Sequence, residues 1–304
     1  MIPRPTSVLV TGGTGFVGSR LVRALIAEGF DVHVLVRSTS SLEELAPVLA
    51  EVRLVEFGGS TVGLAAAVGR AHPDLVFHLA SRFIAEHRPD QVNELIDSNV
   101  RFGAQLLEAM AVNGVRRLVN AGTSWQHFEG AEYRPVCLYA ATKQAFEAIL
   151  EFYVDARNLQ TITLKLFDTY GADDPRPKLF SLLRSASQRD AVLEMSGGEQ
   201  LVDLVYVDDV VDAFLMAGKR LLSGEAQPKE EFAVSSGKPM PLKDIVALYA
   251  AVCDVDLRVD WGARPYRERE VMVPWHTGAA LPGWSARTSL EDGIRLAAGL
   301  AVVK

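Results

Sequence analysis

Tyr139 and Lys143 stand four residues apart in Leu138-Tyr-Ala-Ala-Thr-Lys-Gln, a spacing that puts both side chains on one face of a helix. A free tyrosine titrates near ~10, so one exchanging protons near neutral pH needs its charged form stabilised by roughly 4 kcal/mol. A neighbouring ammonium supplies part of that, and such a tyrosine works as a general acid or base. Upstream, the β-branched run Arg117–Ala121 ends in Gly122-Thr123-Ser124-Trp125. It places the Thr123 hydroxyl at the carboxyl edge of an expected sheet, where ligands bind. Tyr-x-x-x-Lys occurs by chance on many exposed helices; its weight depends on what accompanies it.

A second constellation accompanies it. Val8-Leu-Val-Thr-Gly-Gly-Thr-Gly-Phe-Val-Gly-Ser-Arg lies between a strand pattern and a helix pattern. Gly12, Gly15 and Gly18 allow a tight turn, close approach to a pyrophosphate and helix-on-sheet packing, with the helix N-terminus facing the phosphates. Gly12, Thr14, Gly15, Phe16 and Val17 are the expected dinucleotide contacts. A nucleoside-triphosphate loop is excluded, because Ser19-Arg20 stand where Lys-Ser/Thr is required. The second strand pattern, Asp31–Val36, runs out without the acid that usually holds an NAD ribose; Arg37 and Ser38 follow. NADP(H) is therefore expected ahead of NAD(H). An exposed Arg–phosphate pair contributes roughly 0–1 kcal/mol, and a bidentate, partly desolvated one more.

The elements that position these residues alternate. Strand candidates are Ser7–Thr11, Asp31–Val36, Val52–Glu56, Leu75–Leu79, Arg117–Ala121 and Thr161–Leu166; helical patterns cover Phe16–Glu28, Gln91–Asn113 and Tyr139–Asn158. Such alternation builds an α/β Rossmann fold, a doubly wound parallel sheet covered by helices on both faces. The first domain is expected over residues 1–171, completed by about 203–222. After Gly171 the texture changes to turn chemistry, with a helix near Lys178–Gln188, then Val207–Leu222. Pro241 at a first helical position opens Leu242–Cys253, and Ser289 with Asp292 forms a capping box for a last helix. Trp261–Trp284 holds three prolines and reads as loops over a site. Residues 172–202 and 223–304 form a smaller, discontinuous C-terminal substrate lobe.

Composition narrows the class. The 304 residues carry 31 Lys+Arg against 38 Asp+Glu, net −7, which argues against a nucleic-acid or anionic-membrane binder. With 49% hydrophobic and 23% charged residues the chain is an ordinary globular one. Cys137 and Cys253 are too few for a disulfide framework. No signal peptide and no membrane span is seen, so a cytoplasmic protein is expected. His78 reads as a core histidine. Asp208-Asp209 precedes an apolar helix and reads as a helix cap, not a metal pair, and no cluster has metal-ligand spacing.

Several motifs together resemble the extended short-chain dehydrogenase/reductases acting on nucleotide sugars. They are Thr11-Gly-Gly-Thr-Gly-Phe-Val-Gly, Phe77-His-Leu-Ala-Ser, Asn99-Val, Thr123, Tyr139 with Lys143, Leu166-Phe-Asp-Thr-Tyr-Gly and Gln200…Asp203-Leu-Val-Tyr-Val-Asp-Asp. The resemblance covers nearly the whole chain and implies that Thr123, Tyr139 and Lys143 are catalytic. It also implies that Leu79, Ala80 and Ser81 line the nicotinamide ribose. The 4,6-dehydratases of this family follow the catalytic Thr with Asp-Glu, and the uronate decarboxylases use a Glu there; here Ser124-Trp125 follow, which disfavours both reactions. Cys137 and His127 do not match the spacing of the Cys/His pair in GDP-sugar epimerase-reductases.

Hydride transfer at one carbon remains. Stretches such as Thr123-Ser-Trp-Gln-His and Pro265-Tyr-Arg-Glu-Arg-Glu resemble the reductases of 4-keto-6-deoxy and dideoxy sugars. The expected activity is NADPH-dependent reduction of the C4 keto group of a CDP- or dTDP-4-keto-6-deoxy sugar. An NAD-dependent 4-epimerase is the alternative, and a non-catalytic NADP-sensing regulator the alternative of another class. Ser124, Gln126, His127, Lys178 and Arg267 are the substrate candidates; Val202 stands where the family often has an Arg. The helices Gln91–Asn113 and Tyr139–Asn158 resemble the pair through which the family dimerises, so a homodimer is expected.

Overall fold

The run Ser7-Val-Leu-Val-Thr is buried at every position, as in strands covered on both faces. In the computed structural model, which describes residues 5–301, this strand (β1, Ser7–Thr11) belongs to a seven-stranded sheet. The other strands are β2 (Asp31–Val36), β3 (Arg53–Glu56), β4 (Leu75–His78), β5 (Arg117–Thr123), β6 (Gln160–Leu166) and the edge strand Lys229–Val234. Their order is edge strand, β6, β5, β4, β1, β2, β3. β1 pairs in parallel with both β2 and β4, Val8 lying opposite Val32 and Leu75, and β2–β3 and β4–β5 are parallel too. This is the expected Rossmann sheet. Its winding reverses between β1 and β4, the switch point at which such sheets bind ligands.

Strand limits shift by one or two residues from the sequence reading. β4 stops at His78 because the next free donor, Ala80 N–H, turns to the Thr11 hydroxyl at 3.2 Å. β5 runs on to Thr123, and β3 begins at Arg53.

Helix α1 (Phe16–Ala27) buries Phe16, Leu21, Val22 and Leu25. Helix α2 (Thr61–Ala71), which sequence periodicity does not announce, is capped by Ser60, whose hydroxyl accepts from Gly63 N–H at 3.0 Å. The single helix expected over Gln91–Asn113 is interrupted: α3 (Val92–Ile96) passes into a π-helical turn, Asp97–Arg101, and then α4 (Phe102–Val112). Helix α5 (Leu138–Arg157) ends on Asn158 in the left-handed conformation. Val68 of α2, Leu106 and Met110 of α4, Phe146 and Leu150 of α5 and Leu118 of β5 share one buried core.

The chain forms two compact units. The first runs through Thr123 and adds Cys137–Lys165 and Val211–Phe232; the second comprises Ser124–Val136, Leu166–Val210 and the chain from Ala233 onward. Ser124–Val136, expected with the first lobe, groups with the second: it closes on itself through Arg134 N–H to Gln126 O and Val136 N–H to Trp125 O, each at 2.9 Å, and His127 stacks on Trp275.

Within the second unit, helices Leu179–Arg189, Leu242–Cys253 and Leu290–Ala297 accompany short strand pairs such as Asp168–Tyr170 with Leu204–Tyr206. Tyr170 packs edge-on against Phe180 and Tyr206. A Cβ on Gly293 would collide with the Tyr170 phenol. Pro241 is the N-cap of its helix, not its first residue, since its ψ of 139° is extended. Ser289 caps the last helix through Asp292 N–H at 3.1 Å. Both members of the acidic pair lie in the first turn of Val207–Ser223, at the helix N-terminus as expected, and Asp209 has a further role. The Asp209 carboxylate accepts from Arg287 and Thr288 N–H at 3.1 and 3.0 Å, anchoring a distant loop.

Candidate active site

Gly12 adopts φ +71°, a conformation that disfavours side chains, and a Cβ there would lie 2.6 Å from Ala80 N. The glycine turn after β1 and the segment after β4 therefore touch backbone to backbone. A Cβ on Gly18 would run into the Gly12 carbonyl. No side chain caps α1 at Gly15, and its first turn follows directly on the turn that holds Thr14. This cradle suits a pyrophosphate at a helix N-terminus. Gly12, Thr14, Gly15, Phe16 and Val17 belong to it, with Leu79 and Ala80 beside Gly12. Arg37 and Ser38 are exposed just beyond the end of β2, and Arg37 N–H donates to Ser40 Oγ at 3.0 Å.

The ends of β4 and β5 meet α5 in the same unit. Lys143 is buried, and its Nζ donates to Ala121 O at 2.8 Å. Burial lowers the ammonium to about 8, against the pull of Glu147 and with a further push from Lys165. Tyr139, one helical turn earlier, is half-buried, and Phe83 packs edge-on against its ring at 5.0 Å. Thr123 is buried at the last position of β5. His78 is the expected core histidine. It shares a 2.8 Å hydrogen bond with the Thr11 hydroxyl and packs against Phe102 and Phe146. Burial, with the nearby Lys143 charge, lowers it to about 3, so it is neutral.

Asn99, in the π-helical turn, fills its hydrogen-bonding capacity. Its Oδ1 accepts from Ser81 Oγ at 3.1 Å and from Arg82 N–H at 2.7 Å. Its Nδ2 donates to Arg82 O and to Thr142 Oγ1, each at 2.9 Å. The residue ties the Ser81 segment to α5 beside Lys143. π-Helical turns are frequent at functional sites.

In the second unit, Ser124 and Gln126 are buried in a tight turn that follows Thr123. His127 stacks on Trp275 with ring centroids 3.9 Å apart, and its Nδ1 lies 3.2 Å from Ala131 O. The exposed Arg267 lies over the Trp125 ring at 5.9 Å, joining the Trp261–Trp284 stretch to this turn. Lys178 pairs with Asp168 at 3.5 Å. Beside Val202, Asp203 accepts from Ser235 Oγ and Ser236 N–H.

A family model described as the NAD dependent epimerase/dehydratase family matches residues 8–230. The chain belongs to this family. It is 28% identical to a CDP-abequose synthase of Yersinia pseudotuberculosis, over 88% of this chain and 91% of that protein. It is 27% identical to a UDP-glucose 4-epimerase of Mycolicibacterium smegmatis, over 94% and 95%. The solved structure of MoeE5 in complex with UDP-glucuronic acid and NAD superposes with a TM-score of 0.76 at 27% identity, covering 95% of this chain and 97% of that one.

In this member of the epimerase/dehydratase family, Thr123 ends β5 and Tyr139 and Lys143 lie near the start of α5, which Lys143 ties to β5 at Ala121. Three features of this region have no role legible in the sequence alone. Asn99 stands in the motif Asn99-Val, which by itself assigns it no role. The Glu147–Lys165 pair joins residues 18 positions apart, and the His127–Trp275 stack joins residues far more distant; neither leaves a local pattern.

Proposed function

We propose that the protein reduces the C4 keto group of a 4-keto-6-deoxy sugar carried on CDP or dTDP, using NADPH. The observation that carries this reading is the end of β2, where Arg37 and Ser38 stand in place of the acid that selects NAD. A reductase exchanges its dinucleotide each turnover and commonly draws on NADPH, whereas an epimerase keeps NAD and recycles it. The residues after Thr123 add to it: Ser124 and Trp125 offer no carboxylate for dehydration. The relative named CDP-abequose synthase supports CDP as the carrier.

When bound, the dinucleotide supplies hydride to C4. Tyr139 donates its phenolic proton to the C4 oxygen, and the Thr123 hydroxyl hydrogen-bonds the same oxygen. Lys143 holds the nicotinamide ribose, and its ammonium favours the charged form that Tyr139 passes through. Gly12, Thr14, Gly15, Phe16 and Val17 cradle the pyrophosphate. Leu79, Ala80 and Ser81 line the ribose, with Ser81 placed by Asn99, and Arg37 and Ser38 take the 2′-phosphate. Ser124, Gln126 and His127 contact the sugar; Lys178 and Arg267 serve its diphosphate. The exposed Val112 and Phe152 of α4 and α5 support a homodimer through these helices.

A second reading, an NAD-dependent 4-epimerase, is favoured by the UDP-glucose 4-epimerase relative and by the NAD in the MoeE5 complex. Purified protein that arrives free of dinucleotide and oxidises NADPH stoichiometrically with CDP- or dTDP-4-keto-6-deoxyglucose supports the reductase. Protein that arrives loaded with NAD and shows no net oxidation overturns it in favour of the epimerase. Stabilisation by NADPH with no turnover of any keto sugar would leave only a sensor.

A further inference from the structure

Four charged side chains from α5, β6 and the edge strand form a chain of alternating sign behind Lys143. Lys143 and Glu147 are one helical turn apart on α5 and both buried, so they share a face. From β6, Lys165, with a side chain 1% exposed, pairs with Glu147 Oε2 at 2.7 Å and with Glu231 Oε2 at 3.2 Å. Gly122 makes room for this arrangement. A Cβ there would lie 2.9 Å from Lys165 Cδ and 3.1 Å from Glu147 Oε1, one residue from the carbonyl that holds Lys143. Lys143, Glu147, Lys165 and Glu231 sum to zero charge.

Well-packed apolar residues often serve stability as well as a buried ion pair does, so stability alone does not account for this chain. An ammonium buried without a counter-charge deprotonates instead of staying charged. Glu147 opposes that loss at Lys143, and Lys165 works against it. Of the other titratable groups close to Lys143, His78 on β4 is neutral, Tyr139 is on the same helix face, and Glu231 reaches Lys165 from the sheet edge.

We propose that Glu147 is a positioning residue that keeps the Lys143 ammonium charged, while Lys165, itself steadied by Glu231, fixes Glu147 and limits its effect. This rests on the reading above, in which the Lys143 ammonium holds the dinucleotide and supports Tyr139.

The test is the dissociation constant of NADPH and of NADH measured by fluorescence from pH 7 to 10, on the wild type, Glu147→Gln, Lys165→Met and the double variant, with thermal melts alongside. Wild-type binding weakens about tenfold as Lys143 loses its proton and with it a charged hydrogen bond, with a midpoint near pH 8. Glu147→Gln lowers the midpoint by about one pH unit or more; Lys165→Met raises it, and the double variant falls between. Should Lys165→Met not fold, recovery of the midpoint in the double variant relative to Glu147→Gln decides for the proposal, and no recovery decides against it. A purely structural pair would weaken binding equally at every pH with the midpoint unmoved, which overturns the proposal, as does a shift of both single variants in one direction. Wild-type protein that binds neither dinucleotide sinks the functional reading and this inference with it. Binding with unmoved midpoints sinks the inference alone.

Discussion

The Lys143 ammonium and the Ala121 carbonyl are joined by a 2.8 Å hydrogen bond, which ties the helix carrying Tyr139 to the strand that ends in Thr123. Removing the phenolic hydroxyl while keeping the ring leaves this tie intact. Tyr139→Phe is therefore expected to lower kcat by about 10²–10⁴ with little change in dinucleotide affinity. Lys143→Met is expected to reduce both. Steady-state kinetics with a keto-sugar substrate, paired with NADPH titration, separate the two patterns; a Tyr139→Phe variant near wild-type kcat would remove Tyr139 from the chemistry.

The close approach of Gly12 to Ala80 makes a sharp prediction about folding. In Gly12→Ala the new methyl meets backbone at 2.6 Å in a left-handed conformation, and neither partner is a flexible side-chain end. A loss of about 1–3 kcal/mol is expected from the strain, together with weaker dinucleotide binding. Denaturant unfolding of the ligand-free protein measures the first; wild-type stability in the variant would show that the turn readily opens.

His78 gives the protein an acid-sensitive core. Burial keeps it neutral in the fold, lowered to about 3, while an unfolded histidine titrates near ~6.5. Between those values the unfolded chain binds more protons, so stability is fully present above about pH 6.5 and declines as the pH falls toward 3. From pH 6.5 to 5 the loss amounts to about 2 kcal/mol. His33, also lowered by burial, acts in the same direction. His78→Gln, which keeps a hydrogen-bonding group for Thr11 but cannot titrate, is expected to flatten the profile over this window in urea unfolding series. An unchanged slope would place the acid sensitivity elsewhere.

How much of this was legible from sequence follows from where the information resides. β1 and β2 announce themselves through Val/Leu-rich runs bounded by turn residues, and β6 through its β-branched stretch Thr161-Ile-Thr. The glycine turn is readable because each glycine has a local backbone reason. Helix α2 was missed: Thr61-Val-Gly-Leu-Ala-Ala-Ala-Val-Gly-Arg-Ala has little polar contrast for a periodic signal, and only Ser60 marks its start. The π-helical turn leaves no trace in an otherwise continuous helical pattern, although it places Asn99. Lys165 sits within Thr161–Leu166, where a lysine reads as a solvent-facing strand position. Only the tertiary pairing with Glu147 and Glu231 reveals it as buried.

At the end of β2, Arg37 and Ser38 replace an acid, and this asymmetry is testable apart from turnover. Arg37→Glu introduces a negative charge where the 2′-phosphate is proposed to bind. NADPH affinity is expected to drop about tenfold, the scale of one charge-assisted hydrogen bond, with NADH affinity nearly unchanged. Titrating both dinucleotides at two salt concentrations checks this, since the NADPH effect should shrink as salt screens the exposed charge. Equal losses for both would assign Arg37 to the loop fold, not to the phosphate.

Asp208 and Asp209 are adjacent in sequence but differ in environment, and that difference yields the last prediction. Asp209 is buried; its carboxylate takes two backbone N–H groups from Arg287 and Thr288, and its carbonyl takes the Trp284 indole N–H at 3.0 Å. Asp208 is exposed. Truncating Asp209 to Ala leaves two N–H donors without their acceptor, each costing about 1–3 kcal/mol, and loosens the loop leading to the last helix. Asp209→Ala is therefore expected to be destabilised by about 2–6 kcal/mol, with faster amide exchange at Arg287 and Thr288, whereas Asp208→Ala, at an exposed position, is expected to cost less. Because the carboxylate of Asp209 already accepts two backbone donors, divalent cations should not raise the melting temperature of the wild type. Equal destabilisation by the two substitutions, or cation-dependent stabilisation lost in both variants, would overturn this assignment in favour of a shared cation site.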